Sequence, residues 1–154
     1  MPLAEAGFAY PHIPEDQRRG LLIQHGPTLQ VVVGHLSAQG TTGPAMDRDK
    51  LTETVNALVD TGALMSCIDD QLAKKLGLPV IDKQQVSGVA GAGMHDVYMA
   101  FIDIPTLTFG QYGRFMGVHL VAGGQQHNVL LGRTFLEQMV LIYDGRKGGV
   151  TLCR

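Results

Sequence analysis

Tryptophan is missing from this chain, aromatic residues together reach only 6% of it, and cysteine occurs twice, at Cys67 and Cys153. Two cysteines without C-x-x-C spacing cannot frame a disulfide-held fold. Both are expected as reduced thiols, one in a core and one at a terminus, which favours a reducing compartment. Also missing is any run near the roughly 18 apolar residues that a membrane-spanning helix needs. The opening Met1-Pro2-Leu3-Ala4-Glu5 has neither the basic nor the apolar region of a signal peptide. A soluble, cytoplasmic chain with no membrane contact of its own is expected, a tether outside these residues being left open.

Excess charge is absent too. Lys+Arg 12 stand against Asp+Glu 14, a formal charge of -2, and no basic block is longer than Arg18-Arg19 or Lys74-Lys75. That leaves no electrostatic footprint for nucleic acid. His12, His25, His35, His95, His119 and His127 are scattered singly, without H-x-x-x-H or H-E-x-x-H spacing, so they are expected at the surface or in loops and no metal or other cofactor is expected. There is no G-x-S-x-G elbow, and Cys67 has no catalytic partner in sequence.

What is present is enough for one globular domain: 154 residues, 45% hydrophobic, with 20 glycines and only one strong helical stretch, which points to a mostly β protein. The chain is organised around Asn56-Ala57-Leu58-Val59-Asp60-Thr61-Gly62-Ala63, where an apolar, strand-like run stops at a carboxylate. A lone buried charge is costly, so an aspartate there needs hydrogen-bond donors or a chemical role, and Thr61 and Gly62 offer donors. Alone, the triplet also reads as an Asp-initiated turn between strands. A second apolar run, Asn128-Val129-Leu130-Leu131-Gly132-Arg133-Thr134-Phe135-Leu136, likewise ends at glycine and enters a helical stretch.

Together the two stretches resemble the aspartic proteases, specifically the single-domain, retroviral-type (retropepsin-like) branch, over roughly residues 28 to 152. The resemblance implies a closed, barrel-like β-sheet, one short-to-medium helix after the D-T-G loop, a flap hairpin and a short C-terminal helix. It implies Asp60 as the catalytic residue, supported by Thr61 and Gly62. Substrate-binding positions would be Ala63, Leu64 and Met65 beside the loop and Gly88, Val89, Ala90 and Gly91 in the flap.

Along the chain, residues 1–27 are rich in proline, glycine and charge and read as an extended N-terminal arm, with 28–154 as the protease domain. Tyr10-Pro11 in the arm looks like the aromatic-proline sites at which such enzymes release themselves. Thr28 to Gly34 is a strand, Leu36 to Lys50 a long loop, and Leu51 to Val59 the next strand. Asp69 to Gly77 is a helix with both ends written in: Asp69 or Ser66 as N-cap, lysines in the last turn and glycine past the end. Two β-prone stretches, Val80 to Gly88 and Met94 to Ile104, flank Gly88-Val89-Ala90-Gly91-Ala92-Gly93. That order is G-x-x-G-x-G, and a strand-like segment follows it. A phosphate site needs a helix there, so a supple hairpin fits better. Leu107 to Val121 reads as strands broken at Gly110, Gly113 and Gly117, and Arg133 to Gln138 as a short helix.

Peptide hydrolysis by carboxylates needs two of them, one ionised and one protonated. The chain has a single D-T-G and no D-S-G. The resemblance therefore implies a C2 homodimer in which Asp60 meets its own copy, acting on an extended polypeptide with apolar residues around the cut. One departure matters. The family commonly has a second aspartate two residues after the glycine, paired with the downstream arginine; here that position is Leu64, and Arg133 must find another partner. A peptide-binding or dimerisation module without turnover is the alternative on the same fold, and a nucleotide-binding protein using the glycine loop a more distant one.

Overall fold

The computed structural model describes residues 1–38, 42–88 and 91–154. Its core is a barrel. Strand β2 (Thr28–Gly34) runs antiparallel to β3 (Glu53–Val59), and β3 runs parallel to β8 (Val129–Leu131). β8 pairs antiparallel with β4 (Ser66–Asp69), which lies parallel to β7 (Phe109–Val118). β7 pairs with β6 (Gly91–Ile104), and β6 returns to β2 through Val32↔Asp103, Val33↔Ile102 and Gly34↔Phe101, closing six strands into a ring. β5 (Val80–Gly88) extends the sheet as the hairpin partner of β6, with Gly88 opposite Gly91 as the last pair. The expected hairpin is present; Val89 and Ala90 lie outside the described residues.

Alternation fills the barrel. Leu29, Val31 and Val33 on β2 and Val55, Ala57 and Val59 on β3 are buried, every second residue, while the residues between them face outward or are half-covered. Ile68, Tyr98, Ala100, Ile102, Phe115, Val129 and Leu131 complete the same core. Helix α2 (Asp70–Leu76) lays Leu72, Ala73 and Leu76 onto it. Its ends follow the sequence: Asp69 accepts from Leu72 N at 3.4 Å, and Gly77 takes the left-handed conformation at φ 66°. The short helix α3 (Arg133–Leu136) stands where one was expected.

The first 27 residues are not extended. β1 (Leu3–Glu5) pairs with β10 (Gly149–Cys153), which also pairs with β9 (Val140–Asp144) in a second, three-stranded sheet. Helix α1 (Glu15–His25) follows, with Pro14 just before its first turn, Glu15 and Asp16 in that turn, and Leu22 buried in the core. Prolines at 11 and 14 read as a helix-free tail, but they precede the helix rather than interrupt it. The arm is also knitted in by its backbone, since Ala6 donates to Val150 O at 2.7 Å and Thr28 donates to Ala6 O at 2.6 Å.

β7 is continuous through the glycines expected to break it. A side chain at Gly110 would put its Cβ 2.5 Å from the Phe101 ring, and one at Gly117 would stand 2.6 Å from the Tyr98 ring. These glycines make room for aromatic rings rather than turns. Of the histidines expected at the surface or in loops, His35 and His127 lie outside the helices and strands, though both are buried. His35 Nε2 donates to Leu76 O at 2.7 Å, and His127 Nε2 bonds Thr28 Oγ1 at 2.8 Å while its Nδ1 has no partner among the described residues. Both cysteines are free thiols, and both are buried.

One polar knot joins α2 to the root of the hairpin. The Tyr98 hydroxyl donates to Asp70 Oδ1 at 2.7 Å, and Lys74 Nζ donates to Asp70 Oδ2 at 2.5 Å. Burial alone would raise the Asp70 carboxyl, but the hydrogen bonds from Lys74 and Tyr98 outweigh it and leave the group below its ordinary value. Burial, then the bond to Asp70, raises the Tyr98 phenol. A carboxyl depressed in the folded state contributes stability above its unfolded value and loses it as pH falls through the folded one. Urea unfolding at a series of pH values should therefore show stability declining through the carboxylate range, and Asp70→Asn should flatten that decline. Separately, Leu22→Ala should lower stability by about 2–4 kcal/mol, read as a lower urea midpoint, because α1 is anchored through that buried side chain.

Candidate active site

Asp60 is the first residue beyond β3, and its position is set by neighbours on both sides. The parallel pairing places Val59 opposite Leu131, and Asp60 N continues the ladder by donating to Leu131 O at 3.0 Å. The chain then turns. Gly62 N donates to Asp60 Oδ1 at 3.0 Å, and Ala63 N to Asp60 O at 3.3 Å. The half-buried carboxylate thus holds a backbone donor two residues on, the local bond that aspartate makes in turns.

The rest of the loop is held by the segment after β8. Arg133 N donates to Ala63 O at 2.9 Å and Thr134 N to Leu64 O at 3.2 Å. Gly132 N donates to the buried Ser66 hydroxyl at 3.0 Å. Glycine is required at 132 because an added Cβ would stand 2.7 Å from the Met65 carbonyl carbon and oxygen, and the backbone there has nowhere to go. Arg133 has found its partner: NH1 donates to Thr61 O at 2.9 Å, so the guanidinium braces the loop by a carbonyl where the family pattern has a carboxylate.

The residues expected at the site fall into two places. Asp60, Thr61, Gly62, Ala63, Leu64 and Met65 form one continuous loop between β3 and β4. Thr61 and Gly62 are exposed, and so is Leu64, at 63%. Gly88 and Gly91 close the described part of the β5–β6 hairpin. Ser66 was not foreseen as a site residue. Its only sequence signal was as a possible helix cap, whereas its hydroxyl actually satisfies Gly132. Cys67 follows it, and its thiol is raised first by burial and then by the nearby Asp60 carboxylate.

A closed barrel carrying a single D-T-G loop braced by a Gly-Arg turn defines a single-domain acid protease of the retropepsin-like kind. Residues 48–135 match the family model described as "Aspartyl protease", and the chain belongs to that family. Among solved structures, the simian foamy virus (mac) protease, determined in solution, is similar at 14% identity and a TM-score of 0.46, covering 71% of this chain and 91% of that one. No curated protein matches the chain in sequence.

The Ser66–Gly132 bond gives a direct test. Ser66→Ala would leave a buried N–H without an acceptor and should lower stability by about 1–3 kcal/mol, measured by urea unfolding.

Proposed function

We propose that this chain is an endopeptidase acting as a C2 homodimer, in which Asp60 of each subunit contributes one carboxylate to a shared dyad. The observation that carries the reading is the placement of Asp60 within an aspartyl protease family match: it stands just past the core strand β3, its loop is held by β8 and Arg133, and the sequence holds no second D-T-G. Two carboxylates brought within a few ångströms share one proton. The ionised one deprotonates a water, and the protonated one polarises the scissile carbonyl and then helps protonate the leaving nitrogen. Thr61 would link the two loops through its hydroxyl. Gly62 would let the substrate backbone lie close. Ala63, Leu64 and Met65 would line the floor, and the hairpin around Gly88, Val89, Ala90 and Gly91 would cover the peptide as a flap.

The substrate is an extended polypeptide, bound as an added strand, with apolar side chains around the cut. A coupled dyad gives a bell-shaped dependence on pH with its best range on the acid side. Self-cleavage at Tyr10-Pro11 belongs to this reading only for chains whose amino terminus has not folded. In the folded chain Tyr10 O accepts from Ile13 N at 3.1 Å, so the bond sits in a turn rather than an extended strand. Folded, active protein should keep that bond through long incubation, as read by intact mass.

The decisive experiment is cleavage of a denatured protein from about pH 3 to pH 8, wild type beside Asp60→Asn, with sedimentation to count subunits. Asp60→Asn should lose at least about a hundredfold in rate. A confirmed wild-type dimer without cleavage would instead move the reading to a peptide-binding module on the same fold.

A further inference from the structure

The inward-facing positions of β7 run Phe109, Gln111, Gly113, Phe115. The two phenylalanines are buried at 4% and 1% exposure, but between them stand an amide and a residue with no side chain. A core-facing row interrupted in this way breaks the local pattern of the strand, and such breaks concentrate at functional sites. Here the interruption opens a cavity of about 330 Å³, walled by Met65 and Ser66 from the far end of the Asp60 loop, by Gln111, Gly113 and Phe115, and by Phe135 of α3. Gly113 is not demanded by its backbone. It is not among the left-handed glycines, and an added Cβ would meet only Phe115 Cε2, at an ordinary 3.6 Å. What this glycine preserves is the empty volume.

One wall of the cavity carries an unmet demand. Gln111 Oε1 is shut off from solvent and, among the described residues, has no hydrogen-bond donor. A buried carbonyl left unpaired costs about 1–3 kcal/mol, and the last torsion of a glutamine side chain is soft enough to swing the oxygen toward an incoming donor. The other walls narrow the choice of donor. Met65, Phe115 and Phe135 favour an apolar, aromatic body. A cation would enter these walls with no carboxylate among them to pair with, and an anion would meet the glutamine oxygen. A neutral donor on an aromatic ring satisfies all of these.

Resting on the endopeptidase reading above, we infer that this cavity is a specificity pocket for a tryptophan or tyrosine side chain of the polypeptide substrate, with Gln111 as the residue that selects it. The pocket and the peptide-facing loop are one hydrogen-bonded unit, since Met65 and Ser66 continue the loop and Thr134 N, at the cavity wall, donates to Leu64 O at 3.2 Å. A peptide bound as a strand sends alternate side chains into pockets on either side of the cut.

The test uses indole and 1-methylindole, which share a ring system while the second carries a methyl in place of the N–H donor, titrated into the full-length Asp60→Asn protein and followed by NMR of the Gln111 side-chain amide. Indole should bind saturably and move that resonance, with 1-methylindole about tenfold weaker, the size of one hydrogen bond to an otherwise unpaired acceptor. Gln111→Leu should erase the difference, and Gly113→Val should fill the pocket and weaken both ligands. Absence of saturable indole binding, or equal affinity for the two ligands in this otherwise unmodified chain, would overturn the assignment, and neither outcome depends on a pocket variant folding. A second arm compares peptides differing only by Tyr against Phe near the cut: wild type should favour Tyr about tenfold in kcat/KM, through KM, and Gln111→Leu should not. Cleavage indifferent to the hydroxyl at every position counts against the pocket alone. No cleavage of any peptide, with indole still bound in preference to 1-methylindole, counts against the endopeptidase reading and leaves the pocket standing.

Discussion

Gly132 has no side chain, and the backbone of Met65 and Ser66 occupies the place where one would stand. That close approach lets the turn after β8 press against the loop after β3, so that Arg133 N, Thr134 N and the Arg133 guanidinium all reach loop carbonyls. Asp60 is positioned less by its own strand than by this second segment, more than seventy residues further along. The arrangement is one of backbone groups, which have fixed lengths and little freedom, and it tolerates the change from an acidic residue to Leu64 because a carbonyl supplies the acceptor that Arg133 needs. A charge-assisted bond to a carboxylate would be stronger. The loop here is held by the number of its bonds rather than by one strong pair.

Much of this was legible in the residues themselves. The strand Thr28–Gly34, helix α2 with its caps and the apolar run that ends at Gly132 all follow local rules: alternation or runs of apolar residues, an aspartate before a helix, and a glycine with lysines at its end. Where local chemistry and tertiary packing agree, the sequence is a good guide. The glycines of β7 were misleading because glycine has two reasons to exist in a strand. Gly110 and Gly117 serve the second, admitting the rings of Phe101 and Tyr98, and those rings belong to another strand that no local window contains.

The amino-terminal segment was misread for a related reason. Glu15–His25 has few apolar residues, and only Leu22 is buried, so its periodicity is too faint to announce a helix. Its acids and Pro14 mark a helix start, but proline-rich surroundings masked that signal. Ser66 and Gln111 drew no attention because their significance lies in what meets them: an amide proton sixty-six positions away for the one, and for the other a side-chain oxygen with no donor among the described residues.

The pairing of β1 with β10 places Leu3 opposite Cys153 on adjacent antiparallel strands. Residues 3 and 153 therefore stand side by side at the same end of the three-stranded sheet, and the path of the chain between them is nearly a ring. A few added residues would bridge them, so the order in which the barrel's strands are synthesised is separable from the order in which they pack. The same geometry commits both segments to one small sheet inside the subunit, in which β10 is central and β1 and β9 are the outer strands.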